Sequence, residues 1–483
     1  LEFLKDNFWN ILIVLNYVLA ISAAITILFK NINPSKTLTY IIVLVFFPFF
    51  GLVVYYFFGQ EYRKNKIFNR KRILNKSVVK RVQEELELNT RELEEVKKQL
   101  DKKVKLVKLL HNSDNSPLTL NNNVELLFNG EAKFKRLLKD LDGAKHHIHL
   151  EYYIIKDDRI GTQVIDILCE KAKSGVKVRV SYDDVGSKIS KKSKHKLKQS
   201  GVEFFPFMPV LFPRFAGKMN YRNHRKIAIV DGEIGYVGGI NMSDTYMNYT
   251  DSKLYWRDTH VRIVGEAVKQ LQIHFLTTWD FVSGETINIT TSYFPEIHYN
   301  DDVAVQIAGS GPDTDWANIL EVLMLAITTA EDYVYITTPY FIPNDEIVTA
   351  LQIADKSGVD VKLIVPYESD SWTAKHATNS FLQPLLEAGV EVYHYTKGFV
   401  HAKTVVIDDI FCTVGTSNMD YRSFNINFEV NAIIYNEQVS VDLKKQFLKD
   451  LQDCNKIDIN VWEKRSNFIR LQESLCRLWS PLL

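Results

Sequence analysis

The strongest constraint on this chain is that it carries the same pattern twice. His224-Arg225-Lys226, four residues and Asp231 lead to Gly238-Gly239-Ile240-Asn241; His401-Ala402-Lys403, four residues and Asp408 lead to Gly415-Thr416-Ser417-Asn418. Other segments repeat in step. Gly143 to Asp157 parallels Ala330 to Asn344, Ser174 to Val180 parallels Ser357 to Leu363, and Gly201-Val202-Glu203-Phe204 parallels Gly389-Val390-Glu391-Val392. A nearly constant offset over one repetition means a duplicated domain with a pseudo-twofold axis, not a solenoid. From about residue 125 strand-like runs alternate with helical ones, so each copy is expected to be an α/β sandwich. The boundary between copies falls near Ser283 to Asp302.

The repeated motif also carries chemistry. Asn223 to Val230 and Val400 to Ile407 alternate like strands, so a histidine and a lysine two residues apart share a face. Imidazole beside ammonium suits a tetrahedral phosphorus centre, where one attacks or donates a proton and the other neutralises oxygen charge. Glycine ahead of a polar tail ending in asparagine permits close backbone approach and adds a donor. One His-x-Lys-x4-Asp arises by chance about once per ten thousand positions. Two copies at equivalent places in a repeat therefore mark a site. A histidine in such a role needs its other ring nitrogen held by an acceptor. Asp258 in Trp256-Arg257-Asp258-Thr259 and Glu429 in Asn427-Phe428-Glu429-Val430 each follow a motif and are the candidates. Asp231 and Asp408 are counted with the catalytic motif, although their place at a strand end suits backbone binding better than phosphate. His147 and His149 imitate a metal pair, but without a third ligand at matching spacing they are expected to be packed. His111, His195, His298 and His394 carry no signal.

Two apolar runs precede the repeat. Phe8 to Phe29 and Leu38 to Phe58 have no charged side chain, and each is long enough to cross roughly 30 Å of hydrocarbon as a helix. Pro48 and Gly51 are expected to kink the second. Arg63, Lys64, Lys66, Arg70, Lys71, Arg72, Lys76, Lys80 and Arg81 follow, against Glu61. That excess puts this end in the cytoplasm and would draw it to anionic headgroups. Val79 to Leu110 then reads as one amphipathic helix, a spacer off the bilayer or a segment packed on it. The expected domains are 1–60, two transmembrane helices; 61–120, a basic and amphipathic linker; 121–290 and 291–483, the two halves. The 483 residues exceed one ordinary domain, and a net charge of +1 argues against nucleic acid. Four scattered cysteines suggest neither a disulfide framework nor a zinc site.

With these motifs in place the sequence resembles the phospholipase D superfamily, whose signature is the duplicated His-Lys-Asp motif. The resemblance implies two halves facing each other with both His-Lys pairs in one pocket and no metal or cofactor. It implies that Lys226, Lys403, Asn241 and Asn418 bind the substrate phosphate. One histidine becomes a phosphohistidine; the other protonates the departing oxygen and later deprotonates the incoming nucleophile. By resemblance His224 is the nucleophile and His401 the acid/base, an order that the near symmetry leaves open. An acid after each motif, Asp258 and Glu429 here, orients the histidines.

The flanking residues narrow the resemblance. Asn220-Tyr221-Arg222-Asn223-His224-Arg225-Lys226-Ile227, Val237 to Asn241, Trp256 to His260, Thr338-Pro339-Tyr340-Phe341-Ile342-Pro343 and Leu478 to Leu483 are similar to bacterial cardiolipin synthases. A membrane hairpin ahead of the duplicated domain is that family's layout too. The resemblance implies phosphatidyl transfer between two phosphatidylglycerol molecules, giving cardiolipin and glycerol. It implies a multi-pass protein of the bacterial cell membrane with its catalytic domain on the cytoplasmic side. A hydrolytic phospholipase D releasing phosphatidic acid is the alternative, separated only by water exclusion, and a membrane-tethered nuclease is a more distant one. Oligomeric state, a homo-oligomer included, stays open, as does the true start of a chain beginning at Leu1. The apolar stretch Phe204 to Phe215 is expected to dip into the bilayer or line an acyl channel, and Phe468 to Leu483 reads as an interfacial or a packed helix.

Overall fold

The computed structural model describes residues 7–29, 34–52, 73–100, 103–209, 221–296 and 301–480. The described residues fall into two compact units, one up to residue 52 and the other from residue 73 onward. In the first, the helix Phe8–Phe29 packs on the helix Pro34–Phe46 through Ala20, Ile27 and Leu44, with Ala23, Ala24 and Tyr40 around them. Phe8–Phe29 has a mean hydropathy of 2.5 and is the one helix among the described residues long and apolar enough to cross a membrane. Helical structure breaks at Phe47, ahead of Pro48, where the missing N–H interrupts the ladder, and resumes to residue 52. The rest of the expected second span, 53–58, and the basic residues Arg63 to Arg72 lie outside the described residues.

The second unit opens with three helices, Ser77–Glu85, Thr90–Leu100 and Val104–Asp114. One continuous helix was expected over this stretch. It breaks because Asn89 starts a new one: its side chain accepts from the N–H of Arg91 and Glu92, and Glu92 reaches back to the Asn89 N–H at 2.9 Å. Nor is the stretch a free spacer. Val79, Val82 and Leu86 sink into one core of the unit, and Val96, Leu100, Leu106 and Leu110 into another.

The strands that follow are β1 (Asn122–Phe128), β2 (His147–Tyr152), β3 (Lys177–Asp183), β4 (Glu203–Phe207), β5 (Lys226–Val230), β6 (Ile234–Gly238), β7 (Tyr255–Arg257) and β8 (Thr259–Gly265). The second half contributes β9 (Ala304–Ser310), β10 (Tyr333–Thr337), β11 (Phe341–Ile342), β12 (Asp360–Pro366), β13 (Glu391–Tyr395), β14 (Gly398–Val400) and β15 (Thr404–Ile407). It ends with β16 (Phe411–Gly415), β17 (Met419–Asp420), β18 (Glu429–Tyr435) and β19 (Cys454–Lys456). The first sheet runs β1-β8-β6-β5-β2-β3-β4 and the second β9-β18-β16-β15-β10-β12-β13-β19. Strand for strand the order is the same, with β19 added at one edge, so the two halves are copies of one α/β fold. Every residue of β2 and of β10 is buried, as central strands covered on both faces must be.

The sheets share a core. Ile229, Val237 and Ile263 of the first meet Val406, Val414 and Ile434 of the second in one apolar cluster, while helices cover each outer face. The apolar stretch before the first motif begins as β4, an edge strand on β3, with Phe204 and Phe205 directed to opposite faces of the sheet and Pro206 tolerated at the edge. Its first residues are therefore sheet rather than membrane loop, and Val210 to Phe215 lie outside the described residues.

Candidate active site

Each motif histidine sits just before a strand, β5 or β15, and is fixed by backbone pairing across the two halves. Asn223 bridges Phe428 in parallel, with the His224 N–H donating to the Phe428 carbonyl at 3.0 Å. In the same way β14 pairs with β7, and the His401 N–H donates to the Arg257 carbonyl at 2.7 Å. Phe428 and Arg257 each immediately precede a candidate acid. The crossing of chains therefore delivers each acid to the histidine of the other half. His224 Nδ1 lies 2.9 and 3.0 Å from the two oxygens of Glu429, and His401 Nδ1 lies 2.7 Å from Asp258 Oδ2. Both acids are fully buried and held from behind. The Thr416 hydroxyl donates to Glu429 Oε2 at 2.6 Å, and the Thr259 N–H donates to Asp258 Oδ1 at 2.7 Å. Gly239 is required here, since a Cβ at that position would stand 2.1 Å from Asp258 Oδ1.

His224, His401, Asn241 and Asn418 line one cavity of about 470 Å³. Lys226 and Lys403 are buried and are not among the residues lining the cavity; each ammonium donates to the carbonyl of the histidine two residues before it. Burial pulls Lys226 down to about 7 and Lys403 to about 8, against the opposing pull of the two acids. Burial also lowers both histidines, His401 well below the imidazole range, while Glu429 resists this at His224. Asp258 is pushed by burial up to about 7 despite Lys403. Glu429 goes the other way: burial would raise it, but the His224 ring, its hydrogen bond and Lys226 outweigh that and hold it below the usual range. The Asn241 amide donates to the Tyr246 hydroxyl at 2.6 Å and accepts from the Ile154 N–H, and Asn418 donates to Asp420 at 2.9 Å.

Asp231 and Asp408, counted with the motif but placed at strand ends, are not among the residues that line this cavity. Both have positive φ, 55° and 53°, in the tight turns after β5 and β15, a conformation that aspartate tolerates. The Asp231 carboxylate accepts from the N–H groups of Lys145, His146 and His147, and Asp408 from those of Glu331, Asp332 and Tyr333. They pin the start of β2 and β10. Asp408 also takes the Lys103 ammonium at 2.8 Å. His147 and His149 are packed, sharing Gln272, and among the described residues no cluster of His, Cys, Asp or Glu could hold a metal ion.

Sequence reasoning missed the flanks of the cavity, and these break the pseudo-symmetry. Beside His224 stand Tyr153, with ring centres 5.0 Å apart, and Arg222, Arg422 and Asn427. Beside His401 stand Trp256, Tyr246 and Phe399, at 5.5, 5.7 and 5.9 Å. Arg222 occupies in the first half the position that Phe399 occupies in the second, two residues before the histidine. Arg422 corresponds likewise to Thr245, four residues after the motif asparagine. Arg222 lies on the face of His224 by strand alternation, a signal already present in the quoted stretch.

Comparison with known proteins agrees with this architecture. The family described as "Cardiolipin synthase, PLD-like domain" matches residues 137–279 and 323–451, one segment in each half, and "Phospholipase_D-nuclease N-terminal" matches 18–60. The cardiolipin synthase of Halalkalibacterium halodurans is 41% identical over all of this chain and 96% of its own length. That of Listeria monocytogenes is 38% identical over 98% of each. The crystal structure of phosphatidylserine synthase from Haemophilus influenzae covers 78% of this chain and 100% of its own with a TM-score of 0.59, a likeness of fold at 15% identity. The relatives and the N-terminal apolar helix together make the chain a membrane-associated protein. This chain belongs to the cardiolipin synthase family of proteins with a duplicated PLD-like domain.

Proposed function

We propose that this chain is a cardiolipin synthase, transferring a phosphatidyl group from one phosphatidylglycerol to the headgroup hydroxyl of a second and releasing glycerol. The observation that carries the reading is the single cavity holding two histidines, each with its Nδ1 on a buried carboxylate of the opposite half. In the first step His224 Nε2 attacks phosphorus while His401 gives a proton to the departing glycerol oxygen. In the second, His401 takes the proton from the acceptor hydroxyl, whose oxygen displaces His224. Phosphoenzyme and diester are close in energy, so no nucleotide enters.

Two features of the carboxylates fit this order. An ionised Glu429 keeps the Nδ1 proton on His224 and leaves Nε2 as a free lone pair. Asp258, near neutrality at about 7, suits a partner whose proton count must change. Lys226, Lys403, Asn241 and Asn418 would neutralise and bond the phosphate oxygens, which raises both lysines back toward full charge once phosphate is bound. We place two crossings within residues 1–60 and the catalytic unit in the cytoplasm, a reading supported by the basic residues after the apolar region. A C-terminal fluorescent protein that matures only in the cytoplasm checks the side.

The decisive experiment follows lipid products and glycerol from headgroup-labelled phosphatidylglycerol in mixed micelles. Cardiolipin and glycerol in equal amounts, both abolished in His224→Ala, is the expected result. Phosphatidic acid and glycerol without cardiolipin would make the protein a hydrolase.

A further inference from the structure

The helix Asn467–Leu478 is inside out. The side facing the protein carries Glu473 and Cys476, with Arg465 bonded to Glu473 at 3.0 Å. The other side exposes Phe468 (67%), Leu471 (56%), Leu475 (51%) and Leu478 (76%), with Trp479 (58%) at its end. Those positions fall three and four apart, one stripe of a helix, and in a water-facing helix that stripe would turn inward. Arg470 stands beyond one edge of it and Lys464 precedes it, both exposed.

The helix also has a fixed relation to the cavity. Arg477 lies over the Phe381 ring at 4.3 Å and donates to the Ser380 carbonyl at 3.4 Å, and Glu473 acts on His376. Both pairings advance together along the chain, so this helix runs parallel to the helix Trp372–Ala388. Its Phe468 end therefore lies toward Trp372, itself exposed, and the neighbouring Asp370 and Ala374 line the catalytic cavity.

We propose that this face seats in the interface of an anionic lipid bilayer and brings the cavity to the surface that holds its substrate. A large apolar stripe closed by tryptophan, with basic residues near it, is the composition of a helix lying in the headgroup region. Exposed arginine and lysine add attraction to anionic lipid. A second copy of the chain seated on the stripe is an outcome that the test below separates. The family's membrane association supports the placement. It does not depend on whether the cavity transfers or hydrolyses, so its failure would leave the proposed reaction untouched.

The test uses the full chain with its four cysteines replaced by alanine and a nitroxide at Leu475→Cys. The protein is reconstituted in vesicles of equal parts phosphatidylglycerol and phosphatidylcholine. Phe468→Cys serves as a second position should the first variant lose cardiolipin formation. Collision with oxygen several-fold more effective than with a water-soluble nickel complex is the expected result. Preferential collision with nickel puts the face in water and overturns the proposal. Protection from both reagents means that protein covers it, which overturns it as well.

Discussion

Replacing Glu429 by glutamine isolates the crossed contact between the halves. The amide is isosteric and can keep its oxygen on His224 Nδ1, turning its NH2 toward Thr416, which can donate to the Val430 carbonyl instead. Geometry and tautomer are then preserved and only the charge is lost. A hydrogen bond to a charged group contributes about 1.5–3 kcal/mol, so the turnover rate should fall ~10–150-fold. The pH profile carries a second, independent sign. Burial lowers the His224 pKa and Glu429 opposes it, so losing the carboxylate lowers it further. A nucleophile must be neutral, so the acidic limb of the rate profile should move to lower pH as the plateau falls. The assay is initial-rate cardiolipin formation in mixed micelles across the pH range, with circular dichroism to verify folding. A plateau within twofold of the unaltered protein, or an acidic limb displaced upward, would refute the reasoning.

The other tests are shorter. Gly239→Ala puts a Cβ 2.1 Å from Asp258 Oδ1 and should cost at least ~10-fold in rate, whereas Gly143→Ala meets nothing within 4 Å and serves as its control. Asp408→Ala leaves Lys103 buried without its 2.8 Å partner and should lose about 3–5 kcal/mol in chemical denaturation; a loss under about 1 kcal/mol would mean the pin is unimportant. With Lys226 at about 7 and Lys403 at about 8, raising the pH through this range discharges the proposed phosphate site. The KM for phosphatidylglycerol should therefore climb from neutral to alkaline pH, and a flat KM would deny the lysines that role. Arg422→Gln should raise the same KM by ~10-fold, read against a neutral lipid acceptor whose KM moves less.

What the sequence made legible follows from what repetition can encode. The duplicated motif placed His224 and His401, and strand alternation put Lys226 and Lys403 beside them. The acids were found as residues after each motif, but no single copy of the pattern could say that they would trade partners. That exchange arises from backbone pairing between β14 and β7 and between Asn223 and Phe428, contacts far apart in the chain. The motif aspartates belong to the recurring pattern, yet their place at a strand end already suited backbone binding, the task their turn geometry gives them. Arg222 and Arg422 are not marked by the repeat, because they stand where the two halves differ, opposite Phe399 and Thr245. The long amphipathic pattern hid its own break, since Asn89 acts by capping, a local signal with no effect on periodicity.

The traded carboxylates also say something about inheritance. Because each repeat lends its acid to the other, one repeat by itself cannot complete a site: it would keep a histidine without an acceptor until a second copy paired with it. Neither copy is a spare in which mutations can accumulate unseen. A change to either acid acts on the histidine of its sibling, as it would in a dimer whose interface is the reaction chamber.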